Sequence, residues 1–173
     1  MILSQKEIFN AIKEKRIKIT PFARSLVGAC SVDVCLGNRF KFFRKANGAT
    51  RIDAAFLGLP AEAYEEKTFR NCEYVELVPH ELVLGCTLER IRLSNDLCAR
   101  IEGRSSMARA GLLVHVSSAL IQPGVDNVQV LELMNVSPLP LRVAPGARVC
   151  QIVFEELRGR ASYKGKYAKQ NKP

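Results

Sequence analysis

The sequence lacks the features that mark several large protein classes. It has no uninterrupted apolar run of about 18 residues, which excludes a membrane-spanning helix. Its first residues contain no basic segment followed by an apolar one, so we expect no secretory signal and a cytoplasmic protein. It also lacks the P-loop, the dinucleotide-binding G-x-G-x-x-G pattern, the G-x-S-x-G elbow and the zinc deaminase signature. The reactions that depend on those motifs are therefore set aside.

Metal-ligating residues are also scarce. There are only two histidines, His80 and His115, and none of the six cysteines forms a C-x-x-C pair. Neither histidine has a ligand-like spacing from a cysteine pair, so we expect no zinc site. Most cysteines lie in apolar runs, which predicts reduced thiols in the core of the protein. The six are Cys30, Cys35, Cys72, Cys86, Cys98 and Cys150.

The composition fits a single domain, residues 1–173, with an unusual charge. At 173 residues and 47% apolar content, the chain can bury a core without disulfide bonds. Its 26 basic and 17 acidic residues give a net charge of +9, which predicts an anionic partner. Six basic residues and no acidic residue lie in 158–173. This segment is either a solvated tail or a cover that closes over a phosphate, and nucleic-acid binding is a further alternative.

Short apolar alternations separated by turns dominate the sequence. A helix is predicted to begin after Ser4, because Ser4 and Glu7 have the spacing of a capping box. Residues 44–72 show no period and are predicted to be a long loop with one helical turn near 60–66. Strands are predicted at 31–36, 40–43, 74–78, 81–88, 97–102, 112–116, 128–134, 139–143 and 148–155. So many short strands indicate a mainly β fold, a barrel or a jelly-roll-like sandwich.

The densest group of polar residues is the segment 102–111, Glu-Gly-Arg-Ser-Ser-Met-Ala-Arg-Ala-Gly. A strand is predicted to end at Gly103, and a short helix to start at Ser105 or Ser106. Backbone N–H groups at a helix start, two hydroxyls and the guanidinium groups of Arg104 and Arg109 suit an anion. The alternative is an ordinary helix cap with two surface arginines.

Glu132 is the second candidate for chemistry. Alternation along 128–135 puts it on one face of a strand with apolar neighbours. That face carries Val128, Val130, Glu132 and Met134. Burying such a carboxylate is costly unless it is paired, and burial would raise its pKa, which suits a general base. The alternative is a buried ion pair with Arg104 or Arg109. The segment 115–124 indicates only a strand, a Pro-Gly turn and a further strand.

Five segments occur in an order that is typical of one family. They are the start Ile2-Leu3-Ser4, the S-x-D-x-x-L-G pattern at 31–37, the segment 102–112, the L-E-x-x-N pattern at 131–135 and the G-K-Y-x-x-Q pattern at 165–170. Together they resemble the deoxycytidine triphosphate (dCTP) deaminase family, within the trimeric deoxyuridine triphosphatase (dUTPase) superfamily. The resemblance covers nearly the whole chain.

The resemblance implies a distorted, dUTPase-like β-barrel of the β-clip type, assembled as a homotrimer with active sites between subunits. It implies hydrolytic deamination of dCTP to dUTP and ammonia without zinc, with Mg²⁺ carried by the triphosphate. Glu132 would be the general base, while Ser105 and Arg109 would position the water and polarise the reacting centre. Arg104 and Ser106 would hold phosphates from the neighbouring subunit, and the main chain near Ser117, Ser118 and Ala119 would contact the pyrimidine. Tyr163, Lys166 and Gln170 would form a tail lid. The other residues implied around the site are Met107, Ala108, Gln122, Val130 and Leu131.

Three positions depart from the family pattern. Gln122 stands where an acid usually holds the sugar 3′-hydroxyl, Val125 stands where a bulky aromatic residue is usual, and Asn171 replaces a glycine. In the triphosphatases that acid also orients the hydrolytic water, so Gln122 argues against dUTP cleavage. Two alternatives stay open: a bifunctional enzyme that releases dUMP and pyrophosphate, and a nucleotide-binding homologue without catalysis.

Overall fold

The amino-terminal segment forms the amphipathic helix that its spacing predicts. Helix α1 (Gln5–Lys13) buries Ile8, and Ser4 is its N-cap. The Ser4 side chain makes no capping hydrogen bond, so the predicted capping box is wrong. The Gln5 N–H donates instead to the carbonyl of Ala29 at 2.7 Å, which satisfies one donor of the first turn.

The computed structural model describes residues 1–43, 63–70 and 73–173. Most of the regular elements in these ranges are strands. They are β1 (Ile17–Thr20), β2 (Val32–Cys35), β3 (Arg39–Phe43), β4 (Tyr64–Thr68), β5 (Val75–Leu77), β6 (Leu82–Leu93), β7 (Leu97–Gly103), β8 (Leu112–Leu113), β9 (Leu120–Ile121), β10 (Asp126–Asn135), β11 (Leu141–Val143) and β12 (Arg148–Glu156). A 3-10 turn covers Arg24–Leu26, and helix α2 (Ser105–Arg109) follows β7. The mainly β fold and the short helix after Gly103 are confirmed.

The strands lie in three sheets. The largest has the order β4-β3-β6-β10-β8, and β1 also pairs with β6. The second has the order β2-β12-β7-β9, and the third pairs β11 with β5. Pairing among the described strands does not close into one continuous ring, so the expected distorted barrel is open in this part of the chain.

Strand β4 stands in place of part of the predicted helical turn near residues 60–66. It pairs with β3 in antiparallel register, Phe43 opposite Tyr64 and Lys41 opposite Glu66. The rings of Phe43 and Tyr64 lie 5.0 Å apart, and Lys41 forms an ion pair with Glu66 at 3.3 Å. These cross-strand pairs favour a strand over a helix here. The rest of the predicted loop, 44–62 and 71–72, lies outside the described residues.

Strand β10 lies inside the largest sheet and alternates between the core and the opposite face. Leu131 is fully buried, whereas Glu132 is half-buried on the other side, as the alternation predicts. Asn135, at the end of the strand, is also fully buried, and its amide donates to the carbonyls of Leu77 and Leu139 at 2.8 Å. The asparagine of the L-E-x-x-N pattern therefore joins β10 to two other segments of the fold.

The five cysteines in the described ranges are free thiols in different environments. Cys86 and Cys150 are buried, Cys35 and Cys98 are half-buried, and Cys30 is exposed. The core prediction is thus wrong for Cys30, and Cys72 lies outside the described residues. Burial, followed by the neighbouring Glu89 carboxylate, raises the pKa of Cys35 to about 11.

Both histidines lie outside the regular elements. His80 has a positive φ of 64° in the turn before β6. The Nδ1 atom of His115 is buried without a hydrogen-bond partner in the described ranges. Those ranges contain no group of three or more His, Cys, Asp or Glu side chains placed to share a metal ion. None of the helices described is both long and apolar enough to cross a bilayer.

Candidate active site

A cleft of about 680 Å³ lies beside β10. Its walls come from β3, β4, β10, the segment 118–125 and the carboxyl-terminal tail, which we define as residues 158–173. Glu132 lines this cleft with six of the residues predicted to bind substrate, namely Ser118, Gln122, Val130, Tyr163, Lys166 and Gln170. The fold therefore brings the segment 118–122, strand β10 and the distant tail residues to one cleft.

The Glu132 carboxylate is oriented by the backbone that follows β8. Its Oε2 atom accepts the N–H of Val116 at 2.8 Å and the N–H of Ser117 at 3.1 Å. The Glu132 N–H itself donates to the carbonyl of Val114 at 3.1 Å, which extends the pairing of β8 with β10 toward this loop. In the described part of the chain Oε1 makes no hydrogen bond. One carboxylate oxygen is thus fixed, and the other is available to a ligand.

Glu132 does not form the ion pair that the alternative interpretation required. Arg104 pairs instead with Asp33, with Nε 3.1 Å from Oδ2. Arg109 is exposed at the end of α2. Because neither arginine pairs with Glu132 within the described ranges, the ion-pair alternative is wrong for the isolated chain.

Helix α2 forms a polar surface apart from the cleft. Four of its side chains are exposed: Ser105, Ser106, Ala108 and Arg109. Met107 packs against the core. Gly111, which follows the helix, has a φ of +91° and lies so close to Ser137 that a Cβ atom would approach the Ser137 Cβ to 2.7 Å. None of the α2 side chains lines the cleft formed by the described residues of the same chain.

The tail lies along the part of the β10 edge that β8 leaves unpaired. The Val128 N–H donates to the Gln170 carbonyl at 3.3 Å, and the Gln170 amide donates back to the Val128 carbonyl at 3.2 Å. The Asn127 amide donates to the Tyr167 carbonyl at 2.7 Å. The tail therefore reaches the cleft of its own chain.

Polar and charged contacts hold the end of the tail. Arg90 of β6 donates to Asn171 Oδ1 at 2.7 Å. Lys172 and Lys41 both pair with Glu66 of β4 at 3.3 Å. Hydrogen bonds from Lys172 and then Lys41 lower the pKa of the Glu66 carboxyl. Asn171 thus provides a docking contact that a glycine at this position could not make.

The residues of the cleft wall that the sequence did not identify include Lys41, Tyr64, Asn127 and Gln129. Asn127 and Gln129 are only 4% and 7% exposed, on the face of β10 where apolar side chains are expected. The Gln129 amide donates to Asn127 Oδ1 at 2.5 Å, so each amide satisfies part of the other's hydrogen bonding. Two amides on the core face of an alternating strand are the signal that could have identified them. Lys41 and Tyr64 carry no comparable signal.

The environments of Leu131, Val125 and Gln122 limit what each can do. The Leu131 side chain is fully buried in the core, so only its backbone can face a ligand. Val125 is 3% exposed and lines the cleft, where it offers a small apolar surface. Gln122 is half-buried in the same wall, so its neutral amide can hydrogen-bond to a ligand there.

Comparison with known proteins connects this cleft with one family. The family model described as dCTP deaminase-like matches residues 2–157. A Methanobrevibacter smithii protein named "dCTP deaminase, dUMP-forming" is 37% identical over 180 residues, covering 99% of this chain and 92% of the relative. A Thermomicrobium roseum protein named "dCTP deaminase" is 36% identical over 181 residues, covering 100% of this chain and 91% of the relative.

A solved structure supports the fold. The crystal structure of 2′-deoxycytidine 5′-triphosphate deaminase from Agrobacterium tumefaciens has a TM-score of 0.67 at 20% sequence identity and covers 88% of this chain. The present chain spans 46% of the length of that chain. Because the family model matches most of the sequence and both relatives match nearly all of it, the chain belongs to the dCTP deaminase-like family.

Proposed function

We propose that this protein is an enzyme that hydrolyses dCTP to dUTP and ammonia. The observation that carries the proposal is the Glu132 carboxylate, which two backbone N–H groups orient in a cleft also lined by Tyr163, Lys166 and Gln170 of the tail. Membership of the family and the names of the relatives support dCTP as the substrate.

Glu132 is proposed as the general base and acid of the reaction. Its Oε1 atom takes a proton from water while the water oxygen bonds to C4 of the cytosine. The carboxyl then protonates the departing amine, and the C4–N bond breaks to release ammonia. Of the two water protons, one finishes on ring N3 and the other on ammonia, while the oxygen becomes the C4 carbonyl. One oriented carboxylate can serve both transfers because the attacking oxygen and the departing nitrogen are both bonded to C4.

The polar surface of α2 is proposed to complete the site of a neighbouring subunit in a homotrimer. Ser105 and Arg109 would position the water and polarise the reacting centre, and Arg104 and Ser106 would hold phosphates. Large apolar side chains in the segments that follow α2 and β10 are exposed in the single chain, which suits an interface: Leu113 is 38%, Val116 51%, Val136 46% and Leu139 70% exposed. Cyclic assembly would bring this surface to the cleft of the next copy.

The tail is proposed as a lid over the triphosphate. Lys166 and Lys172 line the cleft with Tyr163 and Gln170, which places two positive charges beside a triphosphate bound in the cleft. This arrangement favours a small anion over a nucleic acid as the partner of the basic tail. Mg²⁺ would enter with the nucleotide, because hard cations prefer phosphate oxygens.

The remaining contacts are proposed for the base and sugar. Backbone groups near Ser117 and Ser118 would contact the pyrimidine, and the Gln122 amide would contact the sugar hydroxyl. We also propose that the chain acts as a single domain in the cytoplasm, since the free thiols of the described cysteines suit a reducing compartment.

A second candidate is a bifunctional enzyme that continues to dUMP and pyrophosphate. The name of the Methanobrevibacter smithii relative, which describes a dUMP-forming enzyme, favours it. The neutral amide of Gln122, where an acid would activate the second water, is the feature against it.

The product profile tests both candidates. The purified protein is incubated with dCTP and Mg²⁺, and separately with dUTP and Mg²⁺, and the nucleotides are separated by ion-exchange chromatography. We expect dUTP to accumulate from dCTP, and dUTP alone to stay intact. Formation of dUMP without free dUTP would replace the first candidate with the second. Absence of any uracil nucleotide at high enzyme concentration would contradict both and leave a non-catalytic nucleotide-binding protein.

A further inference from the structure

Strand β2 and the residue before it support the junction between β7 and α2. Asp33 Oδ2 lies 3.1 Å from Arg104 Nε, and the two side chains are only 20% and 23% exposed. The Ser31 hydroxyl donates to Gln151 Oε1 at 2.6 Å, and Gln151 Nε2 donates to the Gly103 carbonyl at 3.1 Å. Asp33 therefore contacts Arg104 directly, and Ser31 is linked to Gly103 through Gln151. Gly103 and Arg104 are the two residues that precede α2.

Strand register explains why these contacts form. Asp33 pairs with Gln151 between β2 and β12, and Gln151 pairs with Glu102 between β12 and β7. Directly paired residues face the same side of a sheet, on strands about 5 Å apart. Arg104 follows Glu102 by two residues in an extended conformation and so continues on that side. The register of the three strands therefore places the Asp33 and Arg104 side chains next to each other.

The Arg104 guanidinium keeps donors for an anion. Of its five N–H bonds, one on Nη1 donates to the Arg148 carbonyl at 2.9 Å, and the Nε–H group lies beside Asp33 in the ion pair. The other three have no partner within the described ranges. Arg148 Nη1 also lies 3.5 Å from the Asp33 carboxylate. Two guanidinium groups thus share one carboxylate, and this cluster keeps one net positive charge.

We propose that Asp33 is a positioning residue that fixes the Arg104 guanidinium for a phosphate of the nucleotide, with Ser31 fixing the backbone beside it. The inference rests on the proposed function, in which Arg104 holds phosphate. A free arginine loses much side-chain freedom on binding, whereas one edge of Arg104 is already held by Asp33 before the ligand arrives. Asp33 therefore contributes to binding of the triphosphate and not to the chemistry at the base.

A purely structural ion pair would behave differently, and the same sheet supplies the matched control. Glu155 of β12 pairs with Arg100 of β7 at 3.0 Å, so Glu155→Gln breaks an ion pair between strands of this sheet without touching Arg104. Asp33→Asn keeps the size of the side chain and removes its charge. Asp33→Glu restores the charge on a longer side chain.

The experiment measures KM and kcat for dCTP and for deoxycytidine, which has no phosphate, together with calorimetric binding of inorganic tripolyphosphate and Tm. We expect Asp33→Asn to raise the KM for dCTP and weaken tripolyphosphate binding by between about tenfold and a hundredfold. The KM and kcat for deoxycytidine, and the Tm, should equal those of the control Glu155→Gln. Asp33→Glu should recover part of the binding. In the Arg104→Ala background, Asp33→Asn should have no further effect on tripolyphosphate binding.

Several results would overturn the inference. One is an equal loss of dCTP and deoxycytidine turnover in Asp33→Asn, which indicates a structural role. Another is tripolyphosphate binding equal to that of Glu155→Gln, and a third is an undiminished effect of Asp33→Asn in the Arg104→Ala background. If the wild-type protein deaminates neither compound, the proposed function fails, but tripolyphosphate binding still decides the role of Asp33.

Discussion

Replacing Glu132 with glutamine separates binding from chemistry at the proposed base. The amide keeps the size of the side chain, and its oxygen can still accept the N–H groups of Val116 and Ser117. A hydrogen bond to a charged acceptor contributes about 1.5–3 kcal/mol and one to a neutral acceptor about 0.5–1.5 kcal/mol. For two bonds at a half-exposed site, the expected loss is about 1 kcal/mol, or a fall in Tm of about 2–4 °C.

The effect on turnover should be far larger. One general base contributes about 10²–10⁴-fold, and Glu132 is proposed to act in two proton transfers, so kcat should fall at least about 10³-fold while the Kd for dCTP changes by less than about threefold. Glu132→Asp keeps a carboxylate but shortens its reach, so it should be intermediate. The control is Glu76→Gln on β5, which removes an exposed ion pair with Arg142 of β11. Turnover by Glu132→Gln equal to that of the control would show that Glu132 is not the general base.

Three further predictions concern the tail, the thiols and a buried carboxyl. Deleting residues 162–173 should raise the KM for dCTP by roughly tenfold or more with little change in Tm, because few core contacts are lost; an unchanged KM in steady-state kinetics would remove the tail from the site. At pH 8, Cys30 should react with a maleimide well before Cys35, whose pKa of about 11 leaves roughly one thiolate in a thousand, as mass spectrometry of the labelled peptides can check. Glu89 is 2% exposed, and burial raises the pKa of its carboxyl. The folded state therefore binds the Glu89 proton more tightly than the unfolded state does. Stability should fall as pH rises from the pKa of the unfolded state to that of the folded state. Glu89→Gln should therefore raise Tm at pH 8 by roughly 3 °C and by less at pH 5, and equal Tm values at pH 8 would contradict this.

Strands with an apolar alternation are predictable from the sequence. Along β10 the alternation places Glu132 on the face opposite Leu131, and the structure agrees. Strand β4, Tyr-Glu-Glu-Lys-Thr, is not predictable because its side chains are polar and its stability comes from pairing with β3. The same limit applies to Lys41, which lines the cleft from a strand paired with both β4 and β6.

The candidate site is likewise predictable from the sequence only in part. The family motifs identify Glu132, Gln122 and the tail residues, and these do meet in one cleft. Spacing in sequence could not show that the carboxylate is fixed by backbone N–H groups rather than by an arginine, because that choice depends on the course of the loop after β8. Nor could it show that Arg104 pairs with Asp33, which depends on the register of three strands.

Incubation with dCTP in water enriched in oxygen-18 tests the central claim most directly. If Glu132 activates water for attack on C4, mass spectrometry should find one oxygen-18 atom in the base of the uracil nucleotide and an equal amount of released ammonia. Both signals should depend on Glu132. Unlabelled product, or no uracil nucleotide above the level found with Glu132→Gln, would contradict it.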